Sequence, residues 1–239
     1  MARAAASDES TPLLTDEKHL AYLDEHDVQV KPLRYRDIPR AISGASKAFA
    51  NDSMMLYFKE SESSSLFHLR LWIDIAVRLT DCVIRGKVNT VDHGDAFLFY
   101  GIPGDNSHKP PFSWILSLLP KLGNREVRKR RNEFLTKAKA LIETARGNQV
   151  DNLFEVQGLA TVPSKQGRGY ATALISVVHE MADAQGRATF VITGDAYKFY
   201  ESVGYKLIGE DWFGNDNPKY HGPPGPIRLM LRGPQTVKG

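Results

Sequence analysis

The segment from Gln166 to Ala171, QGRGYA, has the composition of an anion-binding turn. It lies between a predicted strand and a predicted helix, where glycine backbone can approach an anion without obstruction by side chains. Lys165 and Arg168 add positive charge, and the first turn of the helix offers unpaired amide donors. These features predict a site for a phosphate ester. A tight turn without a ligand is the alternative that Gly167 and Gly169 alone leave open.

Two other nucleotide-binding patterns fit this segment poorly. The dinucleotide fingerprint would place Thr172 where its third glycine belongs, and it requires an acidic residue about twenty positions further on. The phosphate-loop pattern that ends in Gly-Lys-Ser/Thr is absent from the sequence. Neither class of nucleotide-binding protein is therefore favoured.

Hydrophobic periodicity predicts strands and helices in alternation on both sides of the turn. The predicted strands cover residues 27–35, 87–90, 96–100, 153–162, 188–192, 206–210 and 227–231. The predicted helices cover a segment capped by Asp37, residues 66–84, a segment starting at Asn124, and residues 172–184 and 196–203. The order of these elements predicts a mixed sheet with helices on both faces.

The turn belongs to a longer segment, LATVPSKQGRGYATALI, which resembles motif A of the GCN5-related N-acetyltransferases, the GNAT superfamily. The central pattern of that motif is Gln/Arg-x-x-Gly-x-Gly/Ala. Gln166, Gly169 and Ala171 occupy its positions in order. The glycine-rich turn therefore resembles a coenzyme A site.

A second segment, DAYKFYESVGYKLIGE, resembles motif B of the same family. In that motif an alanine stands four residues before a tyrosine, and a glycine and an aromatic residue follow. Ala196, Tyr200, Gly204 and Tyr205 fill these positions. Similarity to the two motifs covers about residues 150–210, and the first half of the chain matches the family in layout only.

The resemblance implies the GNAT fold, an α+β arrangement whose central twisted sheet is mixed, mainly antiparallel and flanked by helices on both faces. It implies direct transfer of an acetyl group from acetyl-coenzyme A to an amine, without a covalent enzyme intermediate and without a metal. A predicted helical insertion at about 106–149 favours a small-molecule amine over a protein acceptor. The alternative is a catalytically silent module that binds acyl-coenzyme A or a partner. A homodimer is left open.

The cofactor-binding residues that the resemblance implies lie on three segments. Backbone pairing with the pantetheine arm falls to Leu159 and Thr161, on the strand before the turn. Thr193 stands where the family usually has an asparagine, so a side-chain contact to pantetheine is weakened there. The pyrophosphate is expected on the backbone of Gln166, Gly167, Arg168, Gly169, Tyr170 and Ala171.

Two side chains are the catalytic candidates that the resemblance implies. Tyr200 stands where many members of the family keep a hydroxyl near the cofactor sulfur, able to protonate the departing thiolate. Glu155 stands where histone-type members place a general base, with a water as the alternative base. Cys82 lies mid-helix among apolar residues, and a core position is favoured over a nucleophilic role.

Two residue groups have less specific interpretations. The basic cluster Arg125, Arg128, Lys129, Arg130 and Arg131 is interpreted as the solvated face of a helix. The apolar side chains near residues 49–58, together with Phe112 and Trp114, either cover the acceptor or belong to the core, and the core is favoured. Acceptor specificity is expected from about 49–66 and 103–149.

Composition and charge place further bounds on the chain. Its 239 residues fit one large domain, predicted over 27–233, with flexible tails over 1–26 and 234–239. The net charge of +3 is too small to indicate a nucleic-acid partner for the whole molecule. No signal peptide or membrane span is predicted, and a single cysteine favours the reducing cytoplasm.

Overall fold

The computed structural model describes residues 28–104, 124–146 and 152–235. Within these ranges seven strands form one sheet, in the order β1-β2-β3-β4-β5-β7-β6. Neighbouring strands are antiparallel except for β4 and β5, which are parallel. The predicted mixed, mainly antiparallel sheet is confirmed. The strands are β1 (Lys31–Pro32), β2 (Val88–Val91), β3 (Ala96–Gly101), β4 (Phe154–Thr161), β5 (Thr189–Thr193), β6 (Lys206–Phe213) and β7 (Gly225–Arg232).

Helices cover both faces of the sheet, as the sequence predicted. On one face α5 and α6 pack against a core that includes Leu98, Phe154 and Val191. On the other face, α1 and α3 pack over β2 and β3, while α2 and α4 pack over β6 and β7. The helices are α1 (Ile38–Ala48), α2 (Ser53–Lys59), α3 (Ser64–Ile84), α4 (Arg125–Arg146), α5 (Tyr170–Ala184) and α6 (Tyr197–Ser202).

The first strand and the first helix differ in detail from the sequence prediction. The strand predicted over 27–35 is reduced to Lys31–Pro32 at the sheet edge, where a proline without an N–H donor is tolerated. Asp37 precedes α1 as predicted, but its carboxylate makes no capping hydrogen bond. It lies instead 3.6 Å from the imidazole Nδ1 of His93.

The turn between β2 and β3 contacts the start of α1 directly. Gly94 has a φ of +102°, and a Cβ there would lie 2.9 Å from both the backbone nitrogen of Ala41 and the carbonyl oxygen of Asp37. Glycine therefore permits α1 to pack on the turn. The Thr90 hydroxyl completes the turn by accepting from the Gly94 amide at 2.8 Å and donating to the Ala96 carbonyl at 2.7 Å.

Helix α2 was missing from the sequence prediction, although its start carries a recognisable signal. Asp52 caps the helix by accepting from the backbone amides of Met54 at 3.0 Å and Met55 at 3.2 Å. An aspartate followed by an apolar run is a common helix start. The helix has only seven residues, which is too short for periodicity to show clearly.

The solvated-face interpretation of the basic cluster was wrong for Arg130 on α4, whose side chain is 1% exposed. Its guanidinium donates to the Tyr57 carbonyl at 2.5 Å and to the Lys219 carbonyl at 2.9 Å. It also pairs with Glu126 at 3.0 Å and with Glu60 at 3.4 Å. The side chain thus joins α2 and α4 to the loop between β6 and β7.

Replacing Arg130 with methionine is expected to lower the free energy of unfolding by about 2–3 kcal/mol. Methionine keeps most of the apolar volume but leaves two carbonyls and two carboxylates without their donor. The loss stays below that of a fully buried pair because Glu60 and Glu126 retain contact with water. Urea unfolding measures the change.

The matched control is Arg128→Met, since Arg128 is exposed on the same helix. It should alter stability by no more than about 0.5 kcal/mol. If Arg130→Met changed stability by as little as this control, Arg130 would not stabilise the contact of α2 and α4 with the loop between β6 and β7.

Candidate active site

Strands β4 and β5 separate within the sheet. They pair only through Phe154–Thr189, Glu155–Phe190 and Val156–Val191. Beyond Val156, β4 continues to Thr161 paired with β3, while β5 continues to Thr193 paired with β7. The facing edges of the two strands are therefore unpaired at this end of the sheet, and their backbone groups can pair with an extended ligand.

A β-bulge lies where the strands separate. Phe99 pairs with Gly158 and Tyr100 pairs with Val156, which leaves Gln157 as the extra residue of β4. A bulge bends its strand, so this position accounts for the divergence of β4 from β5. The Phe99 ring covers Gly158, where an added Cβ would lie 2.3 Å from a ring carbon.

The QGRGYA loop connects the separated end of β4 to α5. Gly167 and Gly169 have φ values of +74° and +73°, which fits the choice of glycine at both positions. Gly169 is the N-cap of α5, and its carbonyl accepts the first intrahelical bond from Ala173 at 2.9 Å. The amides of the first turn, from Tyr170 onward, therefore face outward as donors at the positive end of the helix dipole.

Other groups around the loop adjust its charge. The Tyr170 hydroxyl donates to the Asp92 carboxylate, and this bond lowers the pKa of Asp92. Lys165 lies 3.6 Å from the same carboxylate, which therefore neutralises part of the positive charge that Lys165 brings to the loop. Arg168 is exposed. The side-chain amide of Gln166 donates to the Thr161 carbonyl at 3.1 Å and links the loop back to β4.

A cavity of about 470 Å³ opens beside the separated strands. Of the residues that the sequence assigned to the site, Leu159, Thr193 and Tyr200 line it. The cavity is bounded by the strands on one side and by α1, α2, α3 and α4 on the other. Its aromatic walls are Phe49, Phe58, Phe67, Phe97, Phe99 and Phe134.

The apolar residues near 49–58 divide between the two roles that the sequence left open. Tyr57 is fully buried in the core. Phe49, Met54, Met55 and Phe58 line the cavity instead. Phe112 and Trp114 lie outside the described residues, as does the predicted tail over 1–26.

Tyr200 is buried between the cavity and the core around α6. Its ring lies 5.5 Å from that of Tyr205 and 5.2 Å from that of Phe199, both in edge-to-face geometry. Burial raises the pKa of Tyr200 above the ordinary value for tyrosine. The hydroxyl is therefore held in its protonated form, which is the form that can donate a proton.

Glu155 lies near the start of β4 and is not among the residues that line the cavity. Its carboxylate accepts from the side-chain amide of Gln157 at 2.8 Å.

Sequence reasoning missed a carboxylate that does line the cavity, Asp52. Burial raises the pKa of Asp52, and the nearby Asp195 raises it further. Asp195 in turn accepts from the Ser53 amide at 2.8 Å, which joins α2 to the end of β5.

Cys82 has the core position that the sequence predicted. Its side chain is buried on α3, in the cluster beneath α1. Burial raises the pKa of the thiol to about 11, so the thiolate is disfavoured near neutral pH.

Residues 28–104, 124–146 and 152–235 contain no cluster of three or more His, Cys, Asp or Glu side chains suited to a metal ion. None of the helices in these ranges is both long enough and apolar enough to cross a membrane.

Solved structures share this fold. An agmatine N-acetyltransferase superposes with a TM-score of 0.61 at 16% identity, covering 87% of this chain and 100% of that one. The polyamine N-acetyltransferase of Drosophila melanogaster gives 0.60 at 15% identity, covering 87% and 100%. Arylalkylamine N-acetyltransferase 2 of Aedes aegypti gives 0.57 at 16% identity, covering 87% and 99%. The architecture is thus the GNAT fold.

The sequence supports the same assignment over part of its length. Residues 137–208 match the family model of the acetyltransferase (GNAT) domain, a range that includes the loop and Tyr200. No curated protein sequence is similar enough to the chain to count as a match. Residues 137–208 are thus similar to a GNAT acetyltransferase domain, and the fold of the described residues agrees with that similarity.

Proposed function

We propose that the chain transfers an acetyl group from acetyl-coenzyme A directly to the amine of a small molecule. The separation of β4 from β5 above the QGRGYA loop carries this proposal. It offers unpaired strand edges for the pantetheine arm and outward-facing amides for the pyrophosphate. Tyr200 and the aromatic cavity lie at the inner end of the same cleft.

The chemistry needs no covalent enzyme intermediate. The amine nitrogen attacks the thioester carbonyl carbon, the carbon–sulfur bond breaks, and the amine proton passes to a base. Tyr200, which burial keeps in its protonated form, donates its proton to the departing thiolate. In this scheme Leu159, Thr161 and Thr193 flank the pantetheine arm.

A small acceptor suits the volume of about 470 Å³ and the aromatic lining of the partly open cavity. The names of the structural neighbours point the same way, since they refer to agmatine, polyamine and arylalkylamine acetyltransferases. The proposal takes 27–233 as one acetyltransferase domain and the cytoplasm as its setting.

Titration with acetyl-coenzyme A, followed by a thiol-release assay over a panel of small amines, tests the proposal. Binding together with amine-dependent release of coenzyme A is the expected result. Binding without turnover on any amine would support a silent acyl-coenzyme A-binding module instead. Absence of binding would contradict both functions.

The identity of the base is tested by two isosteric variants, Glu155→Gln and Asp52→Asn. Asparagine caps a helix as well as aspartate does, so Asp52→Asn preserves α2 while removing the carboxylate. We expect a loss of turnover of about 100-fold in the variant that lacks the base. If neither variant loses turnover, a water acts as the base.

The pH profile adds a readout that a structural role would not produce. A base must be deprotonated to act, so turnover falls as the pH drops through its pKa. Because burial raises the pKa of Asp52, an Asp52 base would place this acidic limb above the ordinary aspartate range. The limb should then disappear in Asp52→Asn and persist in Glu155→Gln.

A further inference from the structure

Charged side chains line the cavity beside its aromatic walls. Helices α3 and α4, with the residues just before α3, contribute three guanidinium groups and two carboxylates there. Arg70 pairs with Glu62 at 2.8 Å, and Arg78 pairs with Asp74 at 2.8 Å. The third guanidinium belongs to Arg131, and this wall therefore carries a net positive charge.

Arg131 has no hydrogen-bond or ion-pair partner in the part of the chain that the structure describes. It lies on α4 opposite α3, partly buried, and burial lowers its pKa, while the charge of Asp74 raises it and those of Arg78 and Arg70 lower it. Asp74 is already paired with Arg78 and acts on Arg131 through its charge without a hydrogen bond, so an anion bound to Arg131 would further compensate this partly buried guanidinium. The position therefore suits an anionic group of a ligand in the cavity.

Asp52 supplies the opposite charge at another wall of the same cavity. It lies at the start of α2, joined through Ser53 and Asp195 to the end of β5, where Thr193 and Gly194 also line the cavity. This wall adjoins the end of β5, one of the two strands that separate. An acceptor amine is therefore expected at the Asp52 wall, while Arg131 lies on the helix α4.

We propose that the acceptor is an amine that also carries a carboxylate, held by Arg131, with an apolar body against the phenylalanine rings of the cavity. A planar guanidinium matches a carboxylate through two parallel hydrogen bonds. This inference rests on the proposed function, and it adds a class of substrate to it. It distinguishes the chain from an acetyltransferase for simple arylalkylamines.

The test compares three amines that differ in the carboxylate: phenethylamine, phenylalanine and 4-(2-aminoethyl)benzoic acid. In phenylalanine the carboxylate lies beside the amine, and in the benzoic acid it lies across the ring. The kcat/KM of at least one of the two carboxylate-bearing amines should exceed that of phenethylamine by about 10-fold or more. This is the effect expected of a charge-assisted hydrogen bond. Equal or better turnover of phenethylamine would overturn the proposal.

Arg131→Gln should remove the preference, so that kcat/KM for the two carboxylate-bearing amines falls to within about twofold of that for phenethylamine. Arg131→Lys retains the positive charge but lacks the planar guanidinium. Its preference for the carboxylate-bearing amines should therefore lie between those of the wild type and Arg131→Gln. Arg128→Gln is the matched control, because Arg128 is exposed on the same helix, and it should behave as wild type. Acetyl-coenzyme A affinity and thermal melting confirm that each variant is folded.

A purely structural role for Arg131 predicts a different result. Asp74 has one buried carboxylate oxygen without a hydrogen-bond partner, and its charge acts on Arg131. If Arg131 served mainly to balance Asp74, Arg131→Gln would lower the melting temperature and change kcat/KM for all three amines alike. That outcome overturns the proposal.

Failure of the proposed function is distinguished by a binding measurement. If acetyl-coenzyme A binds but no amine is acetylated, the same three amines are titrated into the coenzyme A-loaded protein. A carboxylate preference that disappears in Arg131→Gln then supports the inference although the transfer reaction is absent. Equal or undetectable binding of the three amines overturns it.

Discussion

Replacing Gly169 with aspartate is expected to abolish acetyl-coenzyme A binding, with a loss of affinity of at least about 100-fold. Gly169 is the N-cap of α5 and has a φ of +73°. An aspartate there brings a carboxylate beside the amides of the first helical turn. Its carboxylate thus occupies the proposed phosphate site and repels the pyrophosphate as well. Calorimetric titration measures the affinity.

The same helix offers a control at its opposite end. Gly186 follows α5 with a φ of +61°, and a Cβ added there would have no atom within 4 Å. Gly186→Asp introduces the same charge and a similar backbone strain away from the loop, so acetyl-coenzyme A affinity should be unchanged. Loss of affinity in both variants, or in neither, would contradict the assignment of the loop.

Replacing Tyr200 with phenylalanine is expected to lower turnover by about 100-fold or more, the usual contribution of a positioned general acid. Acetyl-coenzyme A affinity should stay close to wild type, because the substitution removes only a hydroxyl from a buried ring. A thiol-release assay and a titration measure the two quantities separately.

The pH dependence of the wild type provides a second check on Tyr200. A general acid acts in its protonated form, so its contribution is lost as the pH rises through its pKa. Burial raises the pKa of Tyr200, and turnover should therefore persist above the pH at which an exposed tyrosine ionises.

Tyr205→Phe is the control for loss of a buried hydroxyl. The Tyr205 hydroxyl lies 3.2 Å from the Nε2 of His179, outside the residues that line the cavity. Its removal should cost about 1 kcal/mol of stability and leave turnover unchanged. Full activity in Tyr200→Phe would show that another group protonates the thiolate.

Much of the local structure around the QGRGYA loop could be predicted from the sequence. The loop residues 166–171 form one continuous segment, and helix α5 begins at Tyr170, two residues before the predicted start. Tyr200 lies on the predicted short helix and lines the cavity. These features depend on backbone preferences of neighbouring residues, which a local pattern records.

The lining of the cavity was predicted far less well. Asp52 and Arg131 are 79 positions apart in the sequence, and no local pattern indicates that both line one cavity. Arg130 and Arg131 were assigned to a solvated face because basic runs on helices usually are. Their neighbours along the chain could not reveal that α2 packs against α4 at Arg130, or that Arg131 lines the cavity.

The sequence by itself determined the order of strands and helices, the glycine-rich loop and the resemblance that points to coenzyme A, since each is encoded by residues close together in the chain. Only the tertiary structure decided which edges of the sheet remain unpaired, where the Gln157 bulge separates β4 from β5, and which charges line the cavity. The physical reason is that burial and unpaired charge depend on which elements pack together. Spacing along the chain does not record that packing.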